Sequence, residues 1–162
     1  MASRPQSGAF RLFVDLDGVL ADFDRGVKLI TGKRPEELSI KAMWKALAKA
    51  PDFYGTLEFM HDARILWDYC KPYDPTILTG LPLGSWAPDQ KRRWVARMLG
   101  PDVPIITCMS RDKPTYSGPG HVLIDDRPGI KDGWEGAGGT FILHTSAERS
   151  VAALEKLVPA RP

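Results

Sequence analysis

The chain has 162 residues, 43% of them hydrophobic and 26% charged, with a formal net charge of +2. That size suits one compact domain with room for a small appendage, and the apolar fraction is that of an ordinary water-soluble protein. The charge balance excludes a surface field that would by itself argue for nucleic acid or membrane, and no apolar run nears the ~20 residues of a membrane span.

The opening Met1-Ala-Ser-Arg-Pro-Gln-Ser-Gly8 is polar and lacks the apolar centre of a signal peptide, so a cytoplasmic protein is expected. Phe10, Leu12, Phe13 and Val14 then form an apolar run that reads as a buried parallel strand. It stops at Asp15 and Asp17, with Gly18 following. The carboxyl ends of parallel strands are where open α/β sheets place ligands, and like charges gathered in a drying site call for a cation or a reaction. An EF-hand does not explain the acids, because a loop starting at Asp15 would want glycine at Leu20 and glutamate at Gly26.

Residues 24–72 interrupt the strand rhythm. Asp22 and Asp24 read as caps or flanks of a helix. Ile40, Met43, Trp44 and Leu47 make one apolar helical face behind Ser39, and Ala63, Leu66, Trp67 and Cys70 make another. Pro51-Asp-Phe-Tyr-Gly55 is a turn rich in aromatics. A small helical cap over 24–72 is therefore expected, inserted into a core made of 9–23 and 73–162, with hinges near 23–26 and 71–75.

Strand character returns at Thr76-Ile-Leu-Thr79, Val103-Pro-Ile-Ile-Thr107, His121-Val-Leu-Ile124 and Thr140-Phe-Ile-Leu143. Between the first two of these, residues 89–99 pair Trp94 with Met98 and Val95 with Leu99, a helix ended by Gly100. On it, Lys91, Arg92, Arg93 and Arg97 read as a solvated face. Trp86, Trp94 and Trp134 read as packing residues. Gly136-Ala-Gly-Gly139 lacks the spacing of a dinucleotide loop and reads as a helix-to-strand turn. The last helix opens with Thr145 and Glu148 at capping-box spacing and carries Ala147, Val151, Leu154 and Val158 on one stripe. Residues 1–8 and the Pro-Ala-Arg-Pro tail are expected to fray. Cys70 and Cys108 form neither a metal spacing nor a disulfide framework, and His61, His121 and His144 form no cluster. The fold class is thus α/β, a Rossmann-like parallel sheet flanked by helices.

Parallel strands would bring Asp15, Asp17, Thr79, Lys113, Asp125 and Asp126 to one rim. Oxygen ligands of this kind suit a hard divalent cation, magnesium above others, while a lysine and a hydroxyl suit an anion's oxygens. Metal, anion holder and a free carboxylate together describe phosphoryl transfer. Taken alone, Asp125-Asp126 would also serve as a helix cap near Pro128.

This order of motifs resembles the haloacid dehalogenase superfamily of phosphatases. The resemblance implies Asp15 as nucleophile and Asp17 as acid/base, the latter also lending its backbone carbonyl to the metal. It implies phosphate contacts from Thr79, Gly80 and Lys113, and Mg2+ held with Asp125 and Asp126. Asp15-Leu-Asp-Gly-Val-Leu-Ala-Asp-Phe23, Ala50-Pro-Asp-Phe-Tyr54, Lys91-Arg-Arg-Trp-Val95, Ser110-Arg-Asp-Lys113 and Leu123-Ile-Asp-Asp-Arg127 are similar to the 5′(3′)-deoxyribonucleotidase branch. That narrower resemblance implies a nucleoside monophosphate substrate, with Arg111 near its phosphate and Phe23, Trp44, Phe53 and Tyr54 around its base. Gly80 departs from the branch, which carries a serine there, and the cap is shorter than in the mammalian enzymes. Two alternatives stand beside this reading: a phosphatase of polynucleotide 3′ ends, under which nucleic acid becomes a partner, and a catalytically silent metal-binding module.

Overall fold

The computed structural model describes residues 9–159; the fraying expected of residues 1–8 and of the last three residues lies outside them. Five strands form one parallel sheet: β1 (Arg11–Val14), β2 (Thr76–Gly80), β3 (Ile105–Cys108), β4 (His121–Asp125) and β5 (Thr140–Leu143), in the order β3-β2-β1-β4-β5. The expected α/β class is what the chain adopts. The chain builds outward from β1 on one side and then crosses to β4 on the other. The crevice beyond the carboxyl ends of β1 and β4 is therefore a topological switch point, the place where such sheets bind ligands. Register fixes that junction, pairing Val14 with Ile124, and the backbone N–H of Asp15 donates to the Ile124 carbonyl at 3.0 Å.

Alternation along β1 explains why both sheet faces are covered. Leu12 and Val14 join Ile77, Ile124, Ile142, Trp94 and Leu154 in one apolar cluster. Phe13 enters a second cluster with Leu78, Leu123, Ile130, Trp134 and Phe141. Burying both faces is what lets these strands be near-continuous apolar runs. The helices are α1 (Phe23–Thr31), α2 (Ile40–Lys49), α3 (Ala63–Cys70), α4 (Ala87–Met98), α5 (Lys131–Gly136) and α6 (Ala147–Glu155). None is long and apolar enough to cross a membrane.

Helix α1 starts where the Asp22 carboxylate accepts the N–H of Arg25, and α2 where the Ser39 hydroxyl accepts that of Ala42, as their cap chemistry predicts. Helix α6 corrects the sequence reading: its cap is Ser146, whose hydroxyl accepts the Arg149 N–H, so the Thr145–Glu148 spacing is one residue out of phase. A second acceptor for its first turn comes from far away, since the Asp62 carboxylate takes the Ala147 N–H at 2.7 Å. Helix α3 thereby packs beside α6, whereas α1, α2 and Tyr54 border the cavity above the switch point. The buried side chains Met43, Leu47, Phe53 and Leu57 belong to the same cluster as the sheet residues Leu12 and Val14.

Candidate active site

Asp15 leaves the end of β1 almost buried, 5% exposed. Asp125, which ends β4, is fully buried. Lys113 joins them from the helical turn of residues 110–116 that follows β3, its ammonium donating to Asp15 Oδ1 at 3.1 Å and to Asp125 Oδ2 at 2.6 Å. The other Asp125 oxygen accepts the Arg127 backbone N–H at 2.9 Å. Behind it, the His144 N–H donates to the Asp125 carbonyl at 2.8 Å. Asp126 stands exposed on the rim, its carboxylate packed against Gly18, where a Cβ would overlap it and where φ is +79°. A side chain there would be strained by that φ and would have to displace the Asp126 carboxylate.

Asp15, Asp125 and Asp126 each offer an oxygen within 4.8 Å of the others. Burial first, and then the charge of Asp15, push Asp125 up to about 6. Burial, Asp15 and Asp125 push Asp126 up to about 7. Burial pushes the Lys113 ammonium down, but Asp15 and Asp125 together outweigh it and raise its pKa. One ammonium thus pairs with two of the three acids, and the all-oxygen set fits a hard divalent cation, which would relieve the remaining repulsion.

Asp17 is turned the other way. Its Oδ2 accepts from the Lys91 ammonium at 3.0 Å, while Oδ1 is buried with no partner. Burial raises its pKa, Lys91 offsets part of that, and the charge of Asp15 adds to it. Its carboxylate is outside the acidic cluster. Lys91 also donates to the Thr79 hydroxyl at 2.8 Å and to the Gly80 carbonyl at 2.7 Å, and its ammonium lies 4.4 Å from the centre of the Tyr54 ring.

Lys91 is the main correction to the sequence reading. It does not belong to a solvated face: it is 0% exposed, while Arg92, Arg93 and Arg97 remain outside. The signal was present in the spacing, because Lys91 follows Ala87 by four residues and precedes Trp94 and Val95 by three and four, all of them buried. Counting it with its charged neighbours hid that stripe. Two of the arginines do other work: Arg93 pairs with Asp52 at 3.0 Å and Arg97 donates to the Gly55 carbonyl, tying α4 to the aromatic turn.

Above the carboxylates opens a cavity of about 1120 Å³. Of the residues singled out in the sequence, Asp15, Asp17, Gly80, Lys113, Asp126, Phe23, Trp44 and Tyr54 line it. Thr79 and Asp125 stand just behind, reached through Lys91 and Lys113. Phe53 does not reach the cavity; it is fully buried, edge-on to Phe23 at 5.5 Å and to Tyr54 at 5.0 Å. Arg111 is exposed and outside the lining, and Arg127 lines the cavity instead. Trp86, read from the sequence as packing only, stacks on Tyr54 at 5.5 Å and forms part of the cavity wall. Ser110 was likewise missed as a lining residue.

No protein-family model matches the chain. The mitochondrial 5′(3′)-deoxyribonucleotidase of Mus musculus is 30% identical to it over 172 aligned positions, taking in 89% of this chain and 76% of the relative. Among solved structures, a hydrolase from Streptococcus pneumoniae TIGR4 superposes with a TM-score of 0.54 at 12% identity, over 91% of this chain and 98% of its own. A haloacid dehalogenase-superfamily hydrolase from Geobacter sulfurreducens gives 0.52 at 13%, over 98% and 100%. The L-2-haloacid dehalogenase of Xanthobacter autotrophicus gives 0.54 at 14%, over 94% and 85%. The solved structures carry the fold; the murine relative carries the family.

Proposed function

The chain belongs to the haloacid dehalogenase superfamily of hydrolases, on its 5′(3′)-deoxyribonucleotidase branch, and from that membership we propose a magnesium-dependent phosphomonoesterase of nucleoside monophosphates that works through an aspartyl phosphate. The observation that carries this reading is the convergence of Asp15, Asp125 and Asp126 within 4.8 Å, with the Lys113 ammonium bonded to the first two.

In this reading a carboxylate oxygen of Asp15 attacks phosphorus in line with the ester oxygen. The Asp15–phosphorus bond forms as the ester bond breaks, and the departing alkoxide takes a proton from Asp17. An acid whose pKa burial has raised suits that donation, and the unpartnered Oδ1 is the free end of that carboxyl. Asp17, now ionised, takes a proton from water as the water attacks the aspartyl phosphate, which restores Asp15 and releases phosphate. Lys91 holds Asp17 in place through its other oxygen. Asp15, Asp125, Asp126 and the Asp17 backbone carbonyl would hold Mg2+, which supplies charge neutralisation around the transferring phosphoryl group when bound. Lys113 holds the nucleophile and draws negative charge toward it. Segment 24–72 acts as the cap, with Phe23, Trp44, Tyr54 and Trp86 facing the nucleoside.

The test is phosphate release from a panel of ribo- and deoxyribonucleoside 5′- and 3′-monophosphates with Mg2+ or with chelator. Cleavage that disappears with chelator is expected; a protein that releases phosphate from none of them is not this enzyme. The cavity exceeds the roughly 300–1,000 Å³ of ordinary small-ligand sites, and Lys41 and Lys45 line it one turn apart on α2. Those two features favour, as a second reading, the end of a polynucleotide. A 3′-phosphorylated oligonucleotide cleaved faster than any free nucleotide would establish it.

A further inference from the structure

The cavity floor needs a hydroxyl if a phosphate's oxygens are to be held by more than one ammonium and the backbone. Thr79 does not present one there: it is fully buried and is not part of the lining. Among the described residues that line the cavity, Ser110 is the one serine or threonine.

Two observations place its hydroxyl at the floor. First, Gly80 ends β2 beside it, and a Cβ on Gly80 would overlap Ser110 Oγ and come within 3.4 Å of Ser110 Cβ. The space that a side chain at residue 80 would fill is held by the Ser110 oxygen. Second, Ser110 and Lys113 lie three residues apart in one 3-10 stretch. At that spacing side chains eclipse, so hydroxyl and ammonium leave the same edge of the turn. Arg127 Nη1 approaches Ser110 Oγ at 3.4 Å from the donor side, which leaves the hydroxyl proton to be given elsewhere.

Resting on the phosphatase reading above, we infer that Ser110 is a phosphate-binding residue, its O–H donating to an oxygen of the transferring phosphoryl group, and that Gly80 lacks a side chain so that this hydroxyl can stand where it does. A hydrogen bond to a charged oxygen is among the stronger kinds, and removal of one such donor lowers kcat/KM by roughly 10- to 100-fold.

The experiment compares wild type, Ser110→Ala, Gly80→Ala and the exchange Gly80→Ser/Ser110→Gly. Each is measured for kcat/KM on the best nucleoside monophosphate and for binding of inorganic phosphate by calorimetry in Mg2+ buffer. Ser110→Ala should lose about 10- to 100-fold in kcat/KM and weaken phosphate binding about 10-fold, with melting temperature unchanged. Gly80→Ala should do the same by displacing the hydroxyl, and the exchange should recover most of both losses. Phosphate affinity and kcat/KM within twofold of wild type in Ser110→Ala would overturn the inference. So would an exchange variant that recovers nothing, which decides the matter should Ser110→Ala fold poorly. A wild type that cleaves no nucleotide yet loses phosphate binding with Ser110 would remove the nucleotidase reading and leave this one. A wild type that cleaves nucleotides regardless of Ser110 would do the reverse.

Discussion

The cavity has a floor and a wall built on different terms. On the floor two ammonium groups tie the buried polar groups together: Lys113 spans Asp15 and Asp125, and Lys91 spans Asp17, Thr79 and Gly80. The wall is a set of rings touching one another. Trp44 lies 5.8 Å from Phe23 and 6.4 Å from Trp86, and Trp86 stacks on Tyr54 at 5.5 Å. Directional contacts between buried charges tolerate little displacement, whereas ring contacts survive sliding and tilting. The groups proposed to react are therefore held more tightly than the rings proposed to meet the leaving group. Tyr54 alone belongs to both, since its ring also carries the Lys91 ammonium.

The sharpest way to break this division is at Asp15, the proposed nucleophile. Asp15→Asn should abolish turnover, by at least about 10³-fold in kcat, while circular dichroism shows an intact fold. Survival of activity would move the nucleophile elsewhere. Next comes Lys91→Met, which removes the hold on Asp17 without touching Asp15, Asp125 or Asp126. It should lower kcat about 100-fold with KM changed less than threefold, because misplacing a proton donor harms the reacting state rather than binding. A larger change in KM than in kcat would place Lys91 on the wall side of the comparison.

A third measurement uses charge. Asp125 and Asp126 have pKa values raised to about 6 and about 7, above those of the unfolded chain. In the cation-free protein the folded state binds more protons than the unfolded one across that interval, so their contribution to stability falls as pH rises from about 4 to about 7. Mg2+ bound as proposed would replace those protons. The rise in melting temperature on adding Mg2+ should be small at pH 5 and grow to roughly 5 °C or more at pH 7.5. A shift independent of pH would mean that the acids are not the ligands. The smallest effect belongs to the wall: Trp44→Leu should raise KM for nucleoside monophosphates about 5- to 10-fold with kcat nearly unchanged, and leave cleavage of a baseless ester such as glycerol phosphate as it was. An equal loss on both substrates would show that the ring shapes the floor.

Much of this was legible from residue order. The apolar runs before Asp15, Thr79 and Asp125 located three of the five strands and, through them, the acids of the site, because a parallel sheet gathers its strand ends at one rim. Ser39 and Asp22 announced their helices by the same local chemistry the structure displays. The wall was less legible. Phe53 and Tyr54 are neighbours in the same turn, yet one is sealed beneath the other, and no local pattern separates them. Trp86 looked like packing because its partners, Tyr54 and Trp44, lie more than 30 residues away.

What the sequence determined by itself is the kind of chemistry: alternating strands and helices, two acids after the first strand, a lysine and an acidic pair later, each set by contacts within a few residues. What the tertiary structure decided is the division of labour. It turned Lys91 inward to Asp17, buried Asp125 while leaving Asp126 at the rim, and let Ser110 occupy the space at Gly80. Each of those outcomes depends on which distant segments pack together, and burial and charge are properties of that packing rather than of any stretch of chain.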